Sequence, residues 1–440
     1  MTKPVEVKEF QSIIYDKMFA NEGDYKCIEK KQFDALAMFI REYTAGDGNA
    51  DVYDFMRLSR KRHVDAITFR NYVGLIQLEN GFQVQVLPKI DFTENDDVGN
   101  GKTKRVFFKM LRSMKDFPCK MFNDASLRVD RMNLYEIFIN MYIQEVRSLV
   151  KRGLKSGYIS QEDNLNFFKG KLLTGQHIRL NTVHKERFYV SYDEYHQNRP
   201  ENKLIKATLE KLQKITTSAE NSKEIRQLLM SFEMIDSSSS FEKDFSRVVI
   251  DRNTKDYENV MRWSKVFLMN ESFTPFSGNT TSRALLFPME SVYESYVASE
   301  LKKIFVPDGW KVSCQDRRYY LFSNPRNQFA LRPDIVIKKG VNTIILDTKW
   351  KELIRDERKN YGISSEDMYQ MYAYSKKYKT PYIWLLYPIN KEMRGAAPIR
   401  FKSDDNTIVN VHCVDIENIS MDLDMLKNRI NNEVEEEIYG

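Results

Sequence analysis

Two carboxylates and one lysine lie close together in the C-terminal part of the chain, on what the sequence predicts to be two adjacent β-strands. Asp334 ends the stretch LRPD, and Asp347 and Lys349 lie in the stretch LDTK. The separation of 13 residues (347 − 334 = 13) leaves room for one short hairpin and little else. Residues two apart in a strand share a face, so Asp347 and Lys349 are expected to point the same way.

These side chains suit the hydrolysis of a phosphodiester with the help of a metal ion. Mg²⁺ held by carboxylates supplies an activated water and stabilises the charge that develops on the phosphate, and Mn²⁺ is a possible substitute. We therefore predict that Asp334 and Asp347 bind the metal and that Lys349 orients or deprotonates the attacking water. Glu294, on the preceding helix, is expected to complete the acidic cluster, directly or through a water.

The predicted elements around these residues follow the order α-β-β-β-α-β. The first helix and the three strands are predicted over residues 286–305, 310–316, 330–338 and 343–350. Ser364 and Asp367 form a capping box for a second helix that runs to Tyr378. The apolar run PYIWLLYP that follows is typical of a buried central strand.

Gln370 and Tyr374 are four residues apart on the second of these helices, so they share one face. An amide and a phenol side by side can hydrogen-bond a metal ligand or a DNA phosphate. Both residues are therefore predicted to belong to the same site as the acidic pair.

Composition and charge exclude other classes of protein. The chain has no long apolar run and its first ten residues, MTKPVEVKEF, lack an apolar signal core, which predicts a cytoplasmic protein without a membrane span. The 4 cysteines contain no CxxC pair and the 5 histidines no HExxH pattern, so neither a disulfide framework nor a zinc site is expected. The net charge of +6 permits binding to nucleic acid without establishing it.

The fold class predicted from these patterns is multidomain α+β. We predict an N-terminal α+β domain over residues 1–105, a mainly helical middle domain over 106–275 and a C-terminal α/β domain over 276–440. The polar, glycine-containing loop 91–103 marks the first boundary. A second stretch of small polar residues, Ser277 to Ser282, precedes the last region.

Periodicity places further elements in the first two regions. Strands over 66–78 and 82–90 flank Asn80-Gly81, a strong hairpin signal. Apolar residues at helical spacing predict helices at four places: residues 32–44, 134–149, 202–215 and 222–235.

Several of these motifs resemble one known group of enzymes. Asp334 followed by Asp347 and Lys349 resembles the PD-(D/E)xK nuclease motif, and Gln370 with Tyr374 resembles the QxxxY motif of its RecB-like branch. More narrowly, residues 65–415 are similar to the McrC family, the nuclease subunits of McrBC-type restriction systems. Family-like stretches outside the nuclease region are VGLI, VLPKI, GL with Tyr158, FKGKL and YDEY with Asn202.

This resemblance implies a PD-(D/E)xK core and Mg²⁺-dependent endonucleolytic cleavage of double-stranded DNA in anti-phage defence. It assigns the metal-binding acids to Asp334 and Asp347, the catalytic lysine to Lys349 and the acidic helix residue to Glu294. Glu290, one turn away, is the alternative for that last role.

The resemblance also implies a partner, a separate AAA+ GTPase ring that resembles McrB. In that family the N-terminal part of the nuclease subunit docks on the ring and stimulates its nucleotide hydrolysis. We therefore assign docking to residues 1–105 as a whole, with the loop 91–103 as one candidate for the ring-facing element. The first 60 residues match nothing in the family.

The stretch GNGKT imitates a nucleotide-binding loop but lacks its first glycine. A P-loop requires glycine five positions before the glycine of GKT, and that position is Asp96. We predict a flexible loop there and no bound nucleotide. Arg332 and Lys351 are predicted to contact DNA phosphates, and the alternative for each is a solvated surface charge.

Two other functions stay open from the residues alone. One is a non-catalytic adaptor that activates and orients a motor, which predicts activity without a metal. The other is a stand-alone repair or recombination nuclease, which predicts no neighbouring gene for an AAA+ GTPase.

Overall fold

The computed structural model describes residues 4–16, 25–45, 55–61, 64–78, 80–90, 92, 100–115, 117–118, 132–269 and 283–439. Contacts group the chain into two units. The first is built from Met132–Ser277 with Pro118, and the second from Thr2–Phe117 with Gly278–Gly440. The predicted N-terminal and C-terminal regions thus fall in one unit, while their division into separate domains stays a prediction.

The described α-helices are α1 (Lys30–Ala45), α2 (Gly101–Leu111), α3 (Leu134–Arg152), α4 (Thr174–Asn181), α5 (Pro200–Ile215), α6 (Ala219–Met230), α7 (Phe241–Arg247), α8 (Glu258–Met269), α9 (Met289–Phe305), α10 (Ser365–Tyr378) and α11 (Ile419–Tyr439). In the described part of the chain, no helix combines the length and the apolar character needed to cross a bilayer.

The described strands are β1 (Val5–Lys8), β2 (Ser12–Ile14), β3 (Tyr25–Cys27), β4 (Met56–Lys61), β5 (Val64–Phe69), β6 (Tyr72–Gln77), β7 (Gln83–Leu87), β8 (Gly157–Leu165), β9 (Lys171–Leu172), β10 (Phe188–His196), β11 (Arg283–Pro288), β12 (Lys311–Cys314), β13 (Tyr320–Phe322), β14 (Gln328–Ala330), β15 (Ile335–Lys339), β16 (Asn342–Thr348), β17 (Tyr382–Pro388), β18 (Ile399–Lys402) and β19 (Ile408–Val414). Together with the helices they confirm the α+β class.

The largest sheet has six strands in the order β12-β15-β16-β17-β19-β18. Strand β15 runs antiparallel to both of its neighbours, β12 and β16, whereas β16, β17 and β19 are parallel. The predicted order α-β-β-β-α-β is confirmed as α9, β12, β15, β16, α10 and β17. The hairpin β13–β14 and the segment from β18 to α11 were not predicted from the sequence.

Helices cover both faces of this sheet. Met371 and Tyr374 of α10 pack with Ile383 and Leu385 of β17 on one face. On the other face, the guanidinium of Arg429 in α11 lies 5.1 Å from the ring centre of Trp384. Because β17 is buried on both sides, its continuous apolar sequence is the pattern expected of a central parallel strand. Each fully buried aliphatic side chain contributes about 1.5–3 kcal/mol.

Strand β11 joins the C-terminal part of the chain to an N-terminal sheet. A four-stranded sheet has the order β1-β7-β6-β11, and β11 pairs antiparallel with β6. Residues 286–288 are therefore strand, which corrects the predicted start of α9. The predicted strand over 66–78 is also wrong as one element, because it splits into β5 and β6, which belong to different sheets. Asn71, with φ of 55°, lies at the break.

The predicted hairpin at Asn80-Gly81 is confirmed. Gly81 donates its backbone N–H to the carbonyl of Leu78 at 2.9 Å, and β6 pairs antiparallel with β7. Residues 91 and 93–99 of the predicted loop lie outside the described residues, as does the stretch 277–282. The GKT of GNGKT opens α2, where Lys104 is buried and its Nζ lies 2.7 Å from Glu6 Oε1.

The first unit contains the predicted helices and one sheet that was not predicted. Asn133 caps α3 by accepting from the backbone N–H of Glu136, and the carboxylate of buried Glu136 accepts from Asn221 in α6 at 2.8 Å. The helix predicted over 222–235 ends at Met230. Strands β8, β9 and β10 form a three-stranded sheet, so the middle region is less helical than predicted.

Gly74 lies where β6 meets β11, and it offers a test of that strand pairing. A Cβ at Gly74 would lie 1.9 Å from the carbonyl oxygen of Leu285, and the backbone φ is +138°. We expect Gly74→Ala to lower the free energy of unfolding by about 3 kcal/mol or more, because a clash adds to backbone strain. Gly81→Ala is the matched control, since its φ is +79° but nothing lies within 4 Å.

Urea unfolding of the two variants measures the difference. Gly81→Ala should lose only about 1 kcal/mol, from backbone strain alone. Equal losses in the two variants would contradict the described β6–β11 pairing.

Candidate active site

The register of β15 and β16 brings Asp334 beside the end of β16. Ile335 pairs with Leu346, so Asp334, one residue before Ile335, comes beside Asp347. Thr348 fixes the Asp334 carboxylate, because its backbone N–H and its hydroxyl both donate to Asp334 Oδ2, at 2.8 and 2.7 Å. The two predicted acids therefore lie together at the ends of neighbouring strands.

Asp347, Lys349, Gln370 and Tyr374 form one connected chain of polar contacts. Asp347 is 1% exposed, and Lys349 Nζ lies 2.6 Å from its Oδ2. The same ammonium donates to Gln370 Oε1 at 3.1 Å, and Gln370 Nε2 donates to the Tyr374 hydroxyl at 2.7 Å. The structure thus places α10 residues from the QxxxY pattern against the residues of the strand pair.

Asp367 is a further member of this network that the sequence analysis treated only as a capping residue. Its Oδ1 lies 3.8 Å from Lys349 Nζ and its Oδ2 lies 3.0 Å from Lys351 Nζ. Burial alone raises the pKa of Asp367, but hydrogen bonds from Ser364 and Lys351 together with the charges of Lys351 and Lys349 more than offset it, so the pKa is lowered. The spacing of three residues from Gln370 on one helix face was a signal that could have indicated this role.

Both acids of the pair have a pKa above the ordinary value of an aspartate. Burial and the neighbouring charge of Asp334 raise the pKa of Asp347 to about 7, although Lys349 opposes this shift. Burial also raises the pKa of Asp334, against the hydrogen bonds from Thr348. Burial by itself lowers the pKa of Lys349, but the nearby carboxylates, Asp347 foremost, outweigh it, and the pKa is raised. The carboxylates of Asp334 and Asp347 thus outnumber the single ammonium of Lys349 in a site that is shielded from water.

Glu294 is oriented towards this cluster through Gln315. Gln315 Nε2 donates to Glu294 Oε1 at 2.6 Å, and the backbone N–H of Gln315 donates to the carbonyl of Asp334 at 2.9 Å. Burial and the charge of Asp334 raise the pKa of Glu294 to about 7. Glu290, the alternative, is exposed.

The three predicted metal-binding acids are not assembled into one cluster. Within the described ranges, no group of three or more His, Cys, Asp or Glu side chains is arranged to hold a metal ion. Asp334 and Asp347 are together, whereas Glu294 Oε1 is bonded to Gln315. A contribution from Glu294 would therefore need a bridging water or a turn of its side chain.

Comparison with known proteins gives the family. Residues 67–388 match the model of a family described as McrBC 5-methylcytosine restriction system component, which covers well over half of the chain and contains the whole site. The chain belongs to this McrBC family. The family predicted from the motifs is thereby confirmed.

Two solved structures are similar to this McrBC family member. One is a chain of the refined half-complex from the tetradecameric assembly of Thermococcus gammatolerans McrB AAA+ hexamers with bound McrC, with a TM-score of 0.71, 20% identity and coverage of 97% of this chain and 100% of that one. The other is a chain of the cryo-EM structure of the Thermococcus gammatolerans McrBC complex, with a TM-score of 0.48, 21% identity and coverage of 69% and 88%. The first similarity establishes a shared fold. A search of curated proteins found no match.

The predicted DNA contacts lie at the rim of the site. Arg332 is exposed two residues before Asp334. Lys351 is also exposed, and its ammonium is paired with Asp367, which makes it part of the network as well as a surface charge. Contact of either residue with DNA stays a prediction.

A buried carboxylate from the N-terminal sheet reaches the residue after Lys349. Trp350 donates its indole N–H to Glu9 Oε2 at 2.9 Å, and its ring packs against Tyr293 at a centroid distance of 5.3 Å. Glu9 is 1% exposed, and burial raises its pKa to about 7. The end of β16 is therefore held by residues from two other parts of the same unit.

The Glu9 contact predicts a pH-dependent contribution to stability. Because the pKa of Glu9 is raised in the folded state above its ordinary 4.5, its contribution is present at low pH and lost as pH rises towards about 7. We expect Glu9→Gln, which stays neutral, to match the parent chain at about pH 5 and to exceed its unfolding free energy by about 1–3 kcal/mol at about pH 8.

Urea unfolding at both pH values measures this difference. Glu233→Gln is the control, because that side chain is exposed and does not contribute to the pKa shift of Glu9. A stability difference for Glu9→Gln that does not change with pH would contradict the buried, proton-binding Glu9.

Proposed function

We propose that this McrBC family member is the Mg²⁺-dependent DNA endonuclease subunit of a restriction system, with a PD-(D/E)xK core formed by the six-stranded sheet, α9 and α10. The observation that carries the proposal is the pair of half-buried Asp334 and buried Asp347, with Lys349 Nζ 2.6 Å from Asp347 Oδ2. These three residues are the ones that the resemblance to the PD-(D/E)xK motif names as metal ligands and lysine.

The carboxylate pair fits a hard divalent cation. Mg²⁺ in proteins is commonly held by one or two carboxylates and keeps several waters, so Asp334 and Asp347 suffice as protein ligands. Burial raises the pKa of both acids, and the charge of Asp334 adds to this at Asp347. A bound cation would favour the ionised form of both. When bound there, Mg²⁺ would supply an activated water and stabilise charge on the phosphate.

Lys349 is built to act as a fixed positive charge. Its pKa is raised, so its ammonium is protonated near neutral pH, which favours orienting the water and stabilising the phosphate over taking a proton. Gln370 holds the ammonium from the helix side, and Tyr374 in turn holds Gln370. Tyr374 is buried with a raised pKa, so its phenol stays neutral in this role.

We further propose that the chain works with an AAA+ GTPase ring that resembles McrB. The similar Thermococcus gammatolerans assembly contains McrB AAA+ hexamers with bound McrC. The motor would supply nucleotide hydrolysis, and this chain would supply the cut. Residues 1–105 stay the proposed docking region.

Removal of the charged motif residues tests the proposed chemistry. We expect Asp347→Ala, Asp334→Ala and Lys349→Met each to lower the cleavage rate by about 10²–10⁴-fold, because ligands or transition-state charge are lost. Cleavage of plasmid DNA by the chain reconstituted with its motor is the measurement. Lys359→Met is the matched control, since that lysine is 72% exposed.

Circular dichroism and co-purification with the motor show whether each variant still folds and assembles. Undiminished cutting by assembled Asp347→Ala protein would reject the active site. Cleavage by the parent chain in the presence of a chelator would reject the metal dependence.

The role of Glu294 is tested separately from that of Glu290. Because the charge of Asp334 contributes to the raised pKa of Glu294, we expect Glu294→Gln to raise the Mg²⁺ concentration needed for half-maximal cleavage by about 10-fold. Glu290→Gln should leave it unchanged. The reverse pattern in a Mg²⁺ titration of the two variants would assign the helix acid to Glu290.

A further inference from the structure

A hairpin with exposed aromatic and basic residues extends directly from the candidate site. It occupies residues 316–333, with β13 and β14 as its arms, and was not predicted from the sequence. Its two ends are Gln315, which is bonded to Glu294, and Asp334. These end residues are themselves joined by the hydrogen bond from Gln315 N–H to the Asp334 carbonyl.

The stem of this hairpin is fixed to the body of the nuclease sheet. Arg318 binds both carboxylate oxygens of buried Asp316, with Nε to Oδ2 at 2.8 Å. Tyr319 packs edge-on against Tyr378 at the end of α10, at a centroid distance of 4.5 Å. Leu331 donates its backbone N–H to the carbonyl of Tyr319 at 2.9 Å. The stem therefore holds its arms in a defined direction relative to Asp334.

Beyond the stem, the hairpin exposes two phenylalanines in contact with each other. Phe322 is 55% exposed and Phe329 is 68% exposed, with ring centroids 6.0 Å apart. In a regular pair, Phe329 would oppose Leu321 and point to the face away from Phe322. Phe329 instead has a left-handed backbone, with φ of 57°, which costs about 1–3 kcal/mol. That strain accompanies an apolar pair that is turned to solvent, not to the core.

The side chains around this apolar pair are arginines and amides, which are types that commonly contact DNA. Residues 316–332 contain four arginines and one acid, and Arg318 neutralises that acid. Arg317, Arg326 and Arg332 are all exposed. The turn between the arms adds amides, because its sequence is SNPRNQ.

We propose that the 316–333 hairpin is a minor-groove wedge that holds duplex DNA against the Asp334 and Asp347 pair, an inference that rests on the proposed nuclease function. Proteins that bind the minor groove combine Arg, Asn and Gln with an apolar side chain inserted between base steps. The hairpin presents this combination, and its positive charge complements the phosphate backbone and not an apolar protein partner. Phe322 and Phe329 are the wedge, and Arg326 contacts a phosphate beside it.

Binding of a fluorescein-labelled duplex to the full chain tests the wedge. Ca²⁺ replaces Mg²⁺ so that the oxygen-ligand site is filled, and affinity is measured by fluorescence anisotropy over a series of salt concentrations. The variants are Phe322→Ala/Phe329→Ala and Arg326→Ala. The control is Lys302→Ala, which removes an exposed charge on α9 eight residues beyond Glu294.

The two kinds of variant should lose affinity in different ways. We expect the double phenylalanine variant to bind about 10-fold or more weakly with an unchanged salt dependence, because stacking is lost and no phosphate contact changes. Arg326→Ala should lower the slope of log affinity against log salt by about 1. Lys302→Ala should bind like the parent chain. Both phenylalanines are exposed, so thermal melting should be unchanged and confirms folding.

A second readout detects the insertion itself. A duplex that carries 2-aminopurine at successive steps should brighten at one step with the parent chain, because the wedge unstacks the probe. With the double phenylalanine variant, the 2-aminopurine fluorescence should stay at the level of the free duplex.

Each contrary result has one meaning. Parent-like binding by the double variant, or no duplex binding by the parent chain at the lowest salt, overturns the wedge. A defect of the double variant only in assembly with the motor, with normal DNA affinity, assigns the surface to a protein and also overturns it. Normal DNA binding without Mg²⁺-dependent cleavage would instead overturn the proposed nuclease function and leave the wedge standing.

Discussion

The register of β15 against β16 is the constraint on which the whole site depends. It places two carboxylates side by side, an arrangement that like-charge repulsion and burial both oppose. Thr348 offsets part of this cost by donating twice to Asp334, and Lys349 offsets part by lying 2.6 Å from Asp347. A slip of one residue would turn the side chains of one strand to the other face and separate Asp334 from Asp347 and Thr348.

Helix α10 supplies the contacts to Lys349 that the strand pair does not make. It enters through a cap at Ser364, which fixes Asp367 and, one turn later, Gln370. These two side chains hold Lys349 from the helix side, while Met371 and Tyr374 anchor the same helix in the core of the sheet. The polar contacts to Lys349 and the core packing thus come from one helix, and Tyr374 takes part in both. Carboxylates outnumber ammonium groups around Lys349, and this excess of negative charge is the basis of the proposed cation site.

The sequence predicted the elements whose signals are local and missed those that depend on distant partners. Periodicity and the cap at Ser364 were enough for β15, β16, α10 and β17. Strand β11 could not be predicted because its partner β6 lies about 200 residues away in the chain and no local pattern specifies that pairing. The arms of the β13–β14 hairpin have three residues each and face solvent, so they lack apolar alternation. No local signal distinguishes Glu9 from a surface acid, because its partner Trp350 lies 341 residues away in the chain.

Trp350 links the site to residues 1–105, which the sequence predicts to be a separate domain. It follows Lys349 directly, contacts Tyr293 beside Glu294, and donates to Glu9 at the end of β1. Sheet, helix and N-terminal strand therefore share one buried polar contact, and Glu9 cannot move without disturbing the residue next to Lys349. If residues 1–105 dock on a motor, as proposed, this contact is a buried hydrogen-bonded route from the docking region to the residue next to Lys349. Energetic coupling along it would require two distinct arrangements of Trp350, and its tight packing against Tyr293 favours a single one.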